Sequence, residues 1–238
     1  MIYSFETRIR YSEAGADGRL GLVKMMDYMQ DCCMFHAEDV GVGAFRLREM
    51  HHAWVVLSWQ VIVDRYPRAF EKIRVSTLGT KAENIFAHRN FLIHDEAGTL
   101  IAKANSIWSY IDMDTMRPVS LRKDPDAFMV FGPEEPIEMD YEPRRIDLPK
   151  EGGRCMDPIV VGPEMLDSNG HVNNVRYITI AQQALGEKLL PRQLRAEYKL
   201  QTYPGDVLTP VAYAPADRSV LELRNAAGKP SVIIEMKI

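Results

Sequence analysis

One order of elements occurs twice along the chain: a helical segment, then strands that are interrupted by a Tyr-Pro dipeptide and joined through a Gly-containing turn. The first helix is expected at 22–40, where apolar residues recur at spacings of three and four. The second is expected at 173–190, and the dipeptides follow at 66–67 and 203–204. A repeat of roughly 100 residues predicts a duplicated fold, although coincidental similarity of two strand-rich halves is the alternative.

The segments around the two helices have the pattern of antiparallel strands. Tyr3, Phe5 and Ile9 share one face of the first segment at a period of two. Further strands are expected where β-branched and aromatic residues cluster, at 54–65, 72–81, 88–94, 99–111, 194–202, 207–214, 221–223 and 231–238. One helix followed by antiparallel strands, twice, predicts an α+β class and a tandem hot-dog fold, in which each of two antiparallel sheets wraps around a long helix.

The stretch between the repeats is rich in proline and poor in periodicity, which is typical of a connection. We therefore expect an N-terminal hot-dog unit at 1–130, a linker at 131–154 and a C-terminal hot-dog unit at 155–238.

Composition restricts the class of protein. The net charge of −4 argues against nucleic-acid binding, since such proteins normally have a basic excess. The sequence contains no run of about 18 apolar residues, so no membrane span is expected. The charged N-terminus does not resemble a signal peptide. Cys32, Cys33 and Cys155 have no metal-binding or redox spacing. We expect a cytoplasmic protein without a bound metal or cofactor.

The residues best suited to catalysis lie at 167–177, directly before and at the start of the second helix. Their sequence is Asp-Ser-Asn-Gly-His-Val-Asn-Asn-Val-Arg-Tyr. Asp167, Asn169 and His171 supply a carboxylate, an amide and an imidazole, which together can orient water, polarise a carbonyl and transfer a proton near neutral pH. They alternate, so an extended or looped stretch could direct all three into one cleft. The helix N-terminus would add N–H donors for an oxyanion. An elaborate helix cap is the alternative interpretation.

This segment resembles the Asp-x-Asn-x-His-Val-Asn-Asn-x-(Lys/Arg)-Tyr signature of acyl-acyl carrier protein thioesterases, which are double hot-dog enzymes of bacteria and plant plastids. The N-terminal half resembles the same family at 25–31 (Met-Met-Asp-Tyr-Met-Gln-Asp), 54–67 and 104–108 (Ala-Asn-Ser-Ile-Trp). The resemblance extends over residues 9–208.

The resemblance implies two sets of site residues in the C-terminal unit. The catalytic set is Asp167, Asn169 and His171, and the substrate-binding set is Asn173, Asn174 and Gln201. In our interpretation His171 and Asn169 hold the thioester carbonyl or the attacking water, while Asp167 orients His171 or acts as the base. The resemblance also assigns the acyl chain to the N-terminal unit, where Met25, Met26, Met29 and Met34 suit either an alkyl tunnel or an ordinary core.

One position departs from the plant members, which have an acidic residue followed by Cys after a Leu-Glu-Tyr-Arg strand. Here Gln201 and Thr202 occupy those places, and an amide is not a base. The base would then be Asp167, His171 or Glu197, which would share a strand face with Gln201 at a spacing of four.

The resemblance implies hydrolysis of fatty acyl-acyl carrier protein in fatty acid biosynthesis. The expected partner is an acyl carrier protein with a 4′-phosphopantetheine-linked acyl chain, with no nucleic acid or membrane and with a homodimer as one option. Candidate docking residues for the acidic carrier are Arg176, Lys188, Arg192, Arg195 and Lys199. Alternatives are an acyl-CoA thioesterase, a non-catalytic acyl-thioester-binding protein and a hot-dog dehydratase.

Overall fold

The computed structural model describes residues 2–123, 134–185, 190–214 and 218–238. The chain divides into two units, of which unit 1 comprises Met1–Leu57 with Val61–Glu142, and unit 2 comprises Ser58–Gln60 with Pro143–Ile238. The division between Glu142 and Pro143 falls inside the stretch 131–154 that the sequence predicts as a linker.

Unit 1 consists of one long helix, one short helix and an antiparallel sheet. Its elements are β1 (Tyr3–Arg8), α1 (Leu22–Asp39), α2 (Ala44–Glu49), β2 (His52–Val63), β3 (Lys72–Glu83), β4 (Phe86–Asp95), β5 (Leu100–Asp112) and β6 (Arg117–Pro118). The strand order is β1-β3-β4-β5-β2, and β6 pairs with β5. The predicted long strands are thus present, with ends that differ by a few residues.

Helix α1 packs against β1 and β3 through the apolar stripe that its spacing predicts. Leu22, Met25, Met26 and Met29 are almost completely buried, and Cys33 is buried as well. The predicted helix is confirmed and ends one residue earlier than expected. Helix α2 was not predicted from the sequence, because a six-residue helix with a single buried residue has no measurable periodicity.

A polar cluster lies beneath α1 in the interior of unit 1. Arg89 is 2% exposed, and its Nη1 donates to His36 Nδ1 at 3.3 Å and to Thr77 Oγ1 at 3.1 Å. Burial and the nearby guanidinium lower the pKa of His36 to about 4. The imidazole is therefore neutral at pH 7 and can accept the hydrogen bond that Arg89 donates.

Unit 2 repeats the arrangement, with one helix packed against a set of antiparallel strands. Its elements are β7 (Arg154–Cys155), β8 (Ile159–Val160), α3 (Asn174–Leu185), β9 (Gln193–Tyr198), β10 (Val207–Tyr213), β11 (Ser219–Arg224) and β12 (Pro230–Lys237). The strand order is β9-β12-β11-β10-β7, β8 pairs with β10, and α3 contacts β10 and β12.

The described part of α3 agrees with the predicted helix, whose residues 186–189 lie outside the described ranges. A long helix packed on an antiparallel sheet, once in each unit, confirms the predicted hot-dog class. Within the described ranges, every helix is too short or too polar to cross a membrane.

The chain between the repeats is fastened to the sheet of unit 2. Ile146 packs in a buried cluster with Val211, Tyr213, Val220 and Ile233. The Arg195 guanidinium donates to the carbonyl oxygens of Pro143 at 2.6 Å and Arg145 at 2.9 Å. These bonds replace the hydrogen bonds to water that the carbonyl groups of a free linker would make. Residues 143–148 therefore form a packed strap on unit 2.

Replacing Arg195 with Met is expected to lower the free energy of unfolding by about 3 kcal/mol, because Glu235 would lose a buried partner. Arg195 Nη1 lies 2.9 Å from Glu235 Oε1, and the two side chains are 10% and 4% exposed. The matched control is Arg74→Met, whose partner Glu6 is 71% exposed and whose loss should cost less than about 1 kcal/mol. Urea unfolding curves measure both variants, and equal shifts of the two would contradict the role of Arg195.

Candidate active site

The predicted catalytic segment forms a tight hairpin turn. Asp167 N donates to His171 O at 2.8 Å, Gly170 N donates to Asp167 O at 3.0 Å, and Leu166 pairs with Val172 in an antiparallel bridge. Gly170 has φ of +76°, a left-handed conformation that glycine adopts without a Cβ clash. Because the chain reverses within five residues, the segment has the looped and not the extended form of the two that the sequence allowed.

The same turn occurs in two other hairpins, which begin at Asp95 and Asn225. In all three, Oδ1 of the first residue accepts the N–H groups of the residues two and four positions later. The distances are 2.7 and 3.5 Å at Asp167, 3.1 and 2.9 Å at Asp95, and 3.1 and 3.0 Å at Asn225. Since an amide oxygen serves at Asn225, the turn needs an acceptor but not a negative charge.

Asp167 contacts the backbone of His171 rather than its imidazole. Its Oδ1 lies 3.5 Å from the His171 nitrogen, which is a long hydrogen bond that orients the turn. This geometry therefore does not support the interpretation that the Asp167 carboxylate orients the imidazole by direct contact. Asp167 reaches His171 through the backbone of the turn.

The imidazole of His171 lies edge to face with Tyr203. The ring centroids are 5.0 Å apart and the planes meet at 72°. The Tyr203 hydroxyl donates to Gln201 Oε1 at 3.2 Å. The structure thus brings His171 and Gln201 into contact with one tyrosine, which the sequence analysis treated only as part of a chain break.

The loop that contains Gln201 and Tyr203 is bonded to the turn at 167–171. Val172 N donates to Thr202 O at 3.0 Å, so residues next to His171 and next to Tyr203 are joined directly. Asn169 is exposed at the tip of the turn, and His171 is half-buried. Both segments belong to unit 2.

Glu197 does not share a strand face with Gln201, and that prediction is wrong. Strand β9 ends at Tyr198, so Gln201 lies in the following loop. Glu197 is 3% exposed, and its oxygens accept from Ile146 N at 3.1 Å and from Lys199 Nζ at 2.8 Å. The carboxylate fastens the strap to the sheet, and Asp167 and His171 are left as candidates for the base.

Asn173 caps helix α3, as the alternative interpretation of this segment proposed. Its Oδ1 accepts from Val175 N at 2.9 Å, and its carbonyl oxygen accepts from Arg176 N at 2.8 Å. Two donors at the helix N-terminus are therefore engaged within the chain. The Asn174 carbonyl accepts from Tyr198 Oη at 2.9 Å, and substrate binding by Asn173 and Asn174 stays a prediction.

The buried thiols of unit 1 are unsuited to nucleophilic chemistry. Cys32 and Cys33 are buried, and burial raises the pKa of the Cys32 thiol to about 12. Among the residues that the structure describes, no group of three or more His, Cys, Asp or Glu could hold a metal ion.

Comparison with known proteins assigns the family. A family model described as "Acyl-ACP thioesterase N-terminal domain" matches residues 1–128, which is more than half of the chain. The chain belongs to the acyl-ACP thioesterase family. Palmitoyl-acyl carrier protein thioesterase, chloroplastic, of Cuphea hookeriana is 31% identical over 218 residues, which cover 84% of this chain and 51% of that protein. The chain thus spans about half the length of the curated relatives it matches.

Two solved structures of acyl-ACP thioesterases have the same fold. An acyl-ACP thioesterase from Bacteroides thetaiotaomicron superposes with a TM-score of 0.85 at 24% identity, covering 99% of this chain and 97% of its own. The 12:0-ACP thioesterase from Umbellularia californica superposes with a TM-score of 0.87 at 19% identity, covering 99% and 96%. At such identities the similarity establishes the fold alone.

The basic residues that the sequence suggested for docking in this member of the acyl-ACP thioesterase family differ from one another in their exposure to solvent. Arg195 is 8% exposed and Lys199 is paired with buried Glu197, so neither is a free surface charge. Arg192 is exposed and Arg176 is half-buried. Lys188 lies outside the described residues.

A groove of about 540 Å³ lies in unit 1, and the predicted catalytic residues are not among those that line it. Its lining comes from β1, the start of β3 and the β4–β5 turn. Two ion pairs, Arg74 with Glu6 and Lys72 with Glu96, cross its wall. These charges are unsuited to an alkyl chain, so the apolar channel that the resemblance implies stays a prediction.

Proposed function

We propose that the protein hydrolyses the thioester of a fatty acyl-acyl carrier protein and releases the free fatty acid and the carrier. The observation that carries the proposal is the bonded pair of segments in unit 2, in which the turn with Asp167 and His171 lies beside Tyr203, the partner of Gln201. Membership of the acyl-ACP thioesterase family supports the substrate class.

The proposed reaction adds water to the thioester carbonyl carbon. A C–O bond forms, the C–S bond breaks, and a proton passes from water to the departing sulfur. His171 takes the proton from water and returns it to sulfur, while the negative charge of Asp167 favours the transient imidazolium. The side-chain amides of Asn169 and Gln201 donate to the oxygen that becomes negative.

The proposed partner is an acyl carrier protein that presents its acyl chain on a phosphopantetheine arm. A carrier with an acidic surface would meet Arg192, which is exposed, and Arg176, which is half-buried. The proposed location is the cytoplasm, where three free thiols would stay reduced.

A panel of acyl carrier and coenzyme A thioesters of graded chain length tests the proposal. We expect release of one thiol and one free acid per turnover, with kcat/KM for the carrier thioester at least about tenfold above that for the matched coenzyme A thioester. Cys155 is exposed and would react with a thiol reagent, so the assay uses Cys155→Ser beside the wild-type protein. Intact thioesters throughout, or formation of an unsaturated product from a 3-hydroxyacyl thioester, would overturn the proposal.

A further inference from the structure

Tyr203 contacts two candidate site residues at once through different chemical groups. Its ring packs against the His171 imidazole at 5.0 Å between centroids, and its hydroxyl donates to Gln201 Oε1 at 3.2 Å. The side chain is nevertheless 48% exposed, so it contributes little to the core. Its contacts lie within the candidate site.

The backbone around Tyr203 is fixed on both sides. Tyr203 N donates to Asp206 Oδ2 at 2.8 Å, and Asp206 N donates back to Tyr203 O at 3.1 Å. Gly205, with φ of +83°, allows the tight turn and donates to Val161 O at 3.0 Å. Together with the Val172–Thr202 bond, these contacts fix the backbone that places the Tyr203 ring beside His171.

We infer that Tyr203 is the positioning residue of this site, which holds the His171 imidazole with its ring and the Gln201 amide with its hydroxyl. The inference rests on the proposed function, because positioning matters only if His171 transfers the proton. The ring contact restricts rotation of the half-buried imidazole. The hydroxyl occupies the Gln201 oxygen, so that the NH₂ group is the end that can donate to a substrate oxygen.

These two contacts make separable predictions for two substitutions. Tyr203→Leu removes both contacts and is expected to lower kcat about tenfold or more with KM little changed, since orientation of the reacting groups is lost. Tyr203→Phe keeps the ring and loses the hydroxyl, and it is expected to lower kcat about threefold to tenfold through Gln201.

A double-mutant cycle tests the hydroxyl contact. In a Gln201→Leu background, Tyr203→Phe is expected to cause no further loss of kcat, because the group that the hydroxyl holds is already absent. An equal loss in both backgrounds would overturn the Gln201 half of the inference. Tyr11→Leu is the matched control: Tyr11 is 80% exposed and stacks on Phe70 in unit 1, and this variant should keep wild-type kcat.

Nuclear magnetic resonance of the histidine ring C–H groups supplies a readout that does not depend on turnover. The His171 signals, assigned by their loss in His171→Gln, should be displaced by the Tyr203 ring current and should move in Tyr203→Leu but not in Tyr203→Phe. Unmoved signals, or wild-type kcat in a folded Tyr203→Leu protein, would overturn the positioning role alone. A wild-type protein that is inert towards every thioester would overturn the proposed function, and this inference with it.

Discussion

Replacing Asp167 with Asn is expected to lower kcat by about 100- to 10,000-fold without unfolding the protein. Asn225 makes the same pair of backbone hydrogen bonds from the same position of an equivalent turn, so an amide can serve there. The substitution therefore removes the negative charge of Asp167 and leaves the turn in place. Steady-state kinetics give the loss of rate, and urea unfolding should show a change in free energy within about 0.5 kcal/mol.

The matched control is Asp95→Asn in the equivalent turn of unit 1, which should keep wild-type kcat. Asp95 also pairs with Arg65, so a small loss of stability is expected there. If Asp167→Asn hydrolyses thioesters at the wild-type rate, Asp167 is a turn residue only and the proposed mechanism is wrong. If the loss of rate follows a comparable loss of folded protein, the effect is structural.

Replacing His171 with Ala is expected to lower kcat by about 1,000-fold or more, because no other group in the proposed mechanism transfers the proton. The residue is half-buried and lies on the surface of unit 2, so stability should change by less than about 1 kcal/mol. Initial rates with an acyl carrier thioester measure the loss of kcat, and urea unfolding measures the change in stability.

His88 in β4 provides the control for His171. It is half-buried in unit 1, and burial lowers the pKa of its imidazole. His88→Ala should retain wild-type kcat. Equal rates for the wild-type protein and His171→Ala would exclude the imidazole from the chemistry.

The long elements of the fold are predictable from the sequence because their periodicity extends over many residues. Helix α1 was expected at 22–40 and spans Leu22–Asp39. The end of β9 was missed because the polar and apolar alternation continues beyond Tyr198. Lys199 N and Leu200 N both donate to Ser231 O, which ends the regular ladder at a place that the sequence pattern does not mark.

The geometry of the turn could have been predicted from a spacing that occurs three times. Asp95, Asp167 and Asn225 are each followed three residues later by glycine, at Gly98, Gly170 and Gly228. All three glycines have φ between +75° and +81°. An acceptor side chain followed by a left-handed glycine is a known turn pattern, so it signals a chain reversal rather than an extended segment.

The role inferred for Tyr203 depends on a contact between distant parts of the sequence. His171 and Tyr203 lie in different loops, and their rings meet because Val172 bonds to Thr202. Periodicity and composition report local structure, and they do not specify how two loops are aligned. The position of Tyr203 directly after Gln201 and Thr202 could have indicated that it belongs to the site. It was instead interpreted only as part of the Tyr-Pro pair that ends a strand.

The most direct test of the account is hydrolysis of an acyl carrier thioester in water enriched in oxygen-18, followed by mass spectrometry of the released acid. The wild-type protein is expected to release a fatty acid with one oxygen-18 atom, and Asp167→Asn and His171→Ala are expected to release almost none in the same time. Release of unlabelled acid, or equal release by all three proteins, would contradict it.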